Sequence, residues 1–157
     1  MGNSGGSLTT RAAGELHQLM RAAGFTGIDD TRASVKGWQV TDFADAGPSS
    51  LANLVRRLGA PALMVSYVDS DVGLVEALTP DGGSWEGLLN PELAESYEIP
   101  VEHFPVEAAV AGALAWSAAA GLTPDEEAVR QALTGSELFA EELSSALLTA
   151  LGLPEGT

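Results

Sequence analysis

The chain contains no cysteine. Disulfides, thiolate chemistry, CxxC redox pairs and cysteine-ligated zinc are excluded together. Bases are almost as scarce: seven Lys and Arg stand against 22 Asp and Glu, a formal charge of -15. Lys36 is the only lysine, and Arg130 is the only base in residues 58–157. A field of that sign repels phosphate backbones and anionic lipid, so neither nucleic acid nor a membrane surface is an expected partner. No long hydrophobic run is present. The longest uncharged stretch, 108–124, is mostly alanine and falls short of the roughly 20 residues of a membrane span. The opening residues show neither a positive n-region nor an apolar h-region, so no signal peptide is expected and the cytoplasm is the expected location.

What is present is an ordinary globular composition. Apolar residues make up 45% of 157 positions, enough for one domain to build a core without staples. Plentiful alanine and glycine beside a single lysine suggest a GC-rich bacterial genome. Residues 1–7 predict a flexible leader, and residues 8–154 a single domain. Apolar spacing predicts a helix over 8–23 stopped by Gly24, a strand over 34–43, and a short helix over 51–58 stopped by Gly59. The continuous apolar run 62–68 predicts a central strand, with 72–78 as its hairpin partner and 85–89 as a third meander strand. Asn90-Pro91 opens a short helix to residue 97, and a small-residue helix covers 106–120. Thr123 to Glu126 reads as a capping box before a helix to 133, and Ser136 caps a last helix. The expected fold is therefore α+β. It has a small, mostly antiparallel sheet of three to four strands, with five or six helices on one face or end and an all-helical C-terminal third.

Candidate chemistry is thin. Gly2 to Gly6 spells GxSxG, but no strand precedes it, so nothing would hold the serine on a strained turn. Asp69-Ser70-Asp71 follows an apolar strand, where paired carboxylates can hold a divalent cation, yet Asp and Ser are also ordinary turn residues. His17 and His103 are the only histidines, and neither has a sequence neighbour suited to proton transfer. Trp38, Trp85 and Trp116 are not interleaved with bases as in a nucleic-acid stacking platform. No motif ties the chain to a family, and no cofactor or metal is expected.

The acid-rich region leaves one leading expectation, a protein-binding module of inhibitor, immunity or adaptor type that occludes a basic surface of a partner. The candidate contact residues are Asp69, Asp71, Glu76, Asp81 and Glu86, with Trp85 and Tyr97 as apolar anchors, and then Glu137, Glu141 and Glu142. The alternatives are a small divalent-metal enzyme built on Asp69 and Asp71 with His103 nearby, or a structural subunit. A homo-oligomer through the 106–120 helix is a further expectation.

Overall fold

In the computed structural model, residues 5–11, 15–29, 31–33, 37–136 and 140–153 are described. The described strands are β1 (Gly6–Arg11), β2 (Thr31–Ala33), β3 (Trp38–Phe43), β4 (Ala62–Val68), β5 (Val72–Leu78) and β6 (Ser84–Leu89). They form one sheet in the order β2-β3-β1-β4-β5-β6, and every pairing is antiparallel. The helices are α1 (Leu16–Ala23), α2 (Ser50–Leu58), α3 (Pro91–Ala94), α4 (Val106–Ala119), α5 (Glu126–Thr134) and α6 (Ala140–Ala150), with single 3-10 turns at 95–97 and 101–103.

Side-chain alternation along the strands divides the core into layers. Leu63, Val65 and Tyr67 of β4, Val75 and Ala77 of β5, and Trp85 and Leu89 of β6 face α4, α5 and α6. The intervening residues of β4, Ala62 and Met64, join Leu8 and Phe43 against α1 and α2. Farther along that second face, Val72 and Leu88 are covered by α3 and the 95–104 segment through Leu93, Tyr97, Ile99 and Phe104. The α+β class and the helical C-terminal third therefore hold. Among the described residues the sheet has six strands rather than three to four, and helices cover both of its faces rather than one face or end.

The missed strands are two: the short edge strand β2, which lies just before the strand expected over 34–43, and β1. Residues 6 and 7, expected in a leader, and 8–11, expected in a helix, form a strand between β3 and β4. Its Gly-Ser-Leu-Thr-Thr-Arg sequence carries one large apolar residue, yet Ser7, Thr9 and Thr10 are buried. Thr10 Oγ1 donates to Pro61 C=O (2.8 Å), which anchors its far end to the start of β4. Gly6 is required by the close approach of neighbouring strands, since a Cβ there would lie 2.5 Å from the Val65 carbonyl oxygen. The helix after Thr123 is capped by Asp125, whose carboxylate accepts from the Ala128 N–H (3.2 Å), and not by the threonine.

Candidate functional site

The three C-terminal helices cover β4, β5 and β6 but leave part of the same face over β1 and β3 open. The gap is a cleft of about 730 Å³ between α6 and the 27–29 loop. Ser7 of β1, Asp42 of β3 and Tyr67 of β4 form its floor, Glu141 and Ser144 of α6 one wall, and Asp29 the other. Asp29 is placed by its own N–H, which donates to the Asp42 carbonyl (2.8 Å). Tyr67 is 7% exposed. Burial pushes its hydroxyl pKa up, hydrogen bonding with Ser144 and Ser7 pulls it back, and the Glu141 and Asp42 carboxylates raise it further. Both carboxylates therefore act on one buried hydroxyl. Glu141 Oε2 accepts from Ser70 Oγ (2.8 Å), joining α6 to the β4–β5 turn. Its other oxygen, Oε1, is buried with no hydrogen-bond partner.

The β4–β5 turn lies beside this cleft. Asp69 and Ser70 both adopt left-handed backbone angles, φ 54° and 62°, and Asp71 N–H closes the turn on Val68 C=O (3.0 Å). Two such residues twist a tight connection in the sense that flanking strands need. The Asp71 carboxylate accepts the Tyr97 hydroxyl, which pushes the Tyr97 pKa up to about 12 because the bond and the nearby charge hold its proton. Asn90 Nδ2 donates to the Asp71 carbonyl (2.7 Å). Tyr97 is thus half-buried and engaged within the molecule.

The expected contact residues divide into separate groups. Asp69, Asp71, Tyr97 and Glu141 gather at one end of the sheet, and Glu142 is exposed one position further along α6. Glu76 and Glu86 lie directly opposite one another on β5 and β6, on the other face. Asp81 sits at the far end of β5, where its carboxylate accepts from Thr79 Oγ1 and the Gly83 N–H, and these bonds hold its pKa below the usual carboxylate value. Trp85 is no exposed anchor. It is 5% exposed beneath α4, where a Cβ built on Gly112 would come within 2.3 Å of the Trp85 Cβ. Strand alternation puts it on the covered face, a consequence its glycine-rich neighbourhood hides. Glu137 and residues 2–4 of the GxSxG match lie outside the described residues.

The cleft residues Ser7, Asp29, Asp42, Tyr67 and Ser144 are absent from the sequence-based set. Period-two spacing from Trp38 puts Asp42 on the same face as that tryptophan, which was the available signal. His17 Nε2 hydrogen-bonds Thr31 Oγ1 (2.7 Å), away from the cleft, and His103 is exposed in its 3-10 turn. Among the described residues, no three His, Asp or Glu side chains group as metal ligands would. Arg130, the single base of the C-terminal two-thirds, is held by Glu107 (2.9 Å) and Glu126 (3.3 Å) on α4 and α5. Arg11 donates to the Ala120 carbonyl (3.0 Å) and lies over Trp38 at the opposite end of β1 from the cleft. Among the described residues, no helix is long and apolar enough to cross a membrane. No protein-family model matches the chain, and neither a curated protein nor a solved structure shows significant similarity to it.

Proposed function

We propose that this chain is an acidic protein-binding module, of inhibitor, immunity or adaptor type, that receives a basic side chain of its partner in the cleft between β1, β3 and α6. The observation that carries this reading is Glu141, whose Oε1 is buried without a donor in a cleft that also holds Asp29 and Asp42. A buried acceptor left unsatisfied is costly, and a lysine or arginine from a partner supplies both the missing donor and the opposite charge. The Ser7–Tyr67–Ser144 floor offers further oxygen acceptors to a guanidinium fork. The surrounding negative field speeds encounter with a basic surface and makes it salt-dependent.

The test compares the native chain with Glu141→Gln and the Asp42→Asn/Glu141→Gln pair as bait in lysate of the native host, at low and high salt. The native chain should retain one stoichiometric basic protein that high salt releases. Each substitution should weaken the purified complex by about tenfold, the loss of roughly one charge-assisted hydrogen bond. Equal retention by all three baits would overturn the reading.

A further inference from the structure

β6 ends the sheet order, so one of its two edges faces away from β5. The turn before it fixes which backbone groups lie on that edge. Gly82 N–H donates to Thr79 C=O (3.1 Å), Gly82 has φ 96°, and Thr79 N–H donates to Gly83 C=O (2.9 Å). That is a type I turn followed by a left-handed glycine, with Thr79 and Gly83 as the first paired residues. Antiparallel alternation then turns the backbone groups of Trp85, Gly87 and Leu89 toward β5 and those of Ser84, Glu86 and Leu88 outward. Ser84 and Glu86 are exposed, whereas Leu88, 4% exposed, closes the edge at its far end. No loop hydrogen bond among the described residues reaches Ser84 or Glu86.

Both sides of this open edge have a defined chemistry. On one face, Glu86 lies directly opposite Glu76, a like-charge pair that destabilises the ladder. On the other, a hollow of about 250 Å³ borders Ser84 and Trp85 and is walled by Gly112, Ala115 and Ala119 of α4. Trp85 Nε1 is buried with no acceptor. The benzo edge of that indole is turned toward Gly87, whose built Cβ would lie 2.9 Å from Trp85 Cζ3, so the nitrogen edge is turned away from Gly87.

We propose that the edge of β6 at Ser84–Glu86 accepts an extended, basic segment of a partner protein as a seventh strand. A lysine or arginine of the segment sits beside Glu86, and a small side chain of the segment lies over the hollow beside Ser84 and Trp85. Facing residues of adjacent strands are about 5 Å apart, so a base opposite Glu86 offsets the Glu76–Glu86 repulsion. The backbone of the segment pairs with the outward groups of Ser84 and Glu86. Strand alternation requires bases and small residues at alternate positions of the segment. The proposal rests on the reading above only in taking the partner to be basic. It uses a different surface, separated from the β1 floor of the cleft by β4 and β5.

The probe is a hexapeptide of alternating lysine and threonine, added to the isotope-labelled full chain at roughly 0.15 M salt, where long-range attraction is screened. Amide exchange at Ser84 and Glu86 should slow by about tenfold, while the already paired amides of Trp85 and Gly87 stay as they were. The same peptide, N-methylated at alternate amides, keeps its charge and should protect neither position. Glu86→Gln, an exposed and structurally mild change, should weaken binding about fivefold. Unchanged exchange at Ser84 and Glu86 at millimolar peptide, or equal protection by the methylated peptide, would overturn the proposal. Chemical-shift changes at Ser7, Tyr67 and Ser144 instead, with exchange at Ser84 and Glu86 unchanged, would place the peptide in the cleft, leaving the functional reading standing and removing this one.

Discussion

The two faces of the sheet each leave an acidic gap, and the gaps are built differently. On the α4–α6 face, the carboxylates of the cleft sit among hydroxyls: Ser70 donates to Glu141, and Ser7 and Ser144 flank Tyr67. On the α1–α2 face, between α2 and the 91–104 segment, Glu76 and Glu86 confront each other across the ladder. The net charge of -15 does not distinguish these situations. What separates them is which dipoles the fold aims at each carboxylate. The cleft is an arrangement of donors and acceptors with one donor missing, whereas the strip is a repulsion that the rest of the fold offsets. Asp81 and Asp71 are a third kind, acids whose side chains close a turn or hold a tyrosine.

The largest expected effect lies in the core that separates the gaps. Trp85→Ala removes a buried indole from between β6 and α4, and should lower stability by about 3–5 kcal/mol in denaturant unfolding. A loss under about 1 kcal/mol would mean that Trp85 is a surface residue after all and that the two faces are less distinct than described. Next comes Tyr67→Phe, which deletes the hydroxyl between Ser7 and Ser144. It should cost about 1 kcal/mol and halve the tyrosine absorbance change above the usual pH 10, leaving only the step of Tyr97. A tyrosine with a raised folded pKa stabilises the fold below pH 10 and loses that contribution as pH rises through its folded value. The difference between the native chain and Tyr67→Phe should therefore shrink at strongly alkaline pH.

Much of this arrangement was legible in the sequence, but unevenly. The β4–β5 hairpin falls on the residues that its apolar pattern marks, because a central strand buried on both faces has no competing reading. The stops at Gly24 and Gly59 follow from left-handed caps that glycine adopts without strain. β1 escaped because its buried positions are serine and threonine, which hydropathy scores as surface. Their burial depends on β3 and β4 closing over both of its edges, which is a tertiary fact. The cleft escaped for the same reason: Ser7, Asp42, Tyr67 and Glu141 come from four elements, and no local spacing brings them together. Glu76 and Glu86 were both candidates, but their direct opposition is set by the register of the Thr79–Gly83 turn.

The smallest expected effect tests the strip and carries the clearest sign. Burial raises the Glu76 carboxyl pKa above its usual 4.5, and the charge of Glu86 opposite raises it further. For an acid with a raised folded pKa, the stability contribution is fully present below the unfolded value and is lost as pH rises through the folded one. Glu76→Gln removes this dependence. At pH 7 it should stabilise the chain by about 0.5 kcal/mol, the scale of a like-charge cross-strand pair. The gain should fade as pH drops toward about 4, where the native glutamate takes up its proton. A gain that persists unchanged at acid pH would locate the effect in side-chain packing. No gain at pH 7 would show that solvent screens Glu76 from Glu86 and that both gaps are alike in having no uncompensated repulsion.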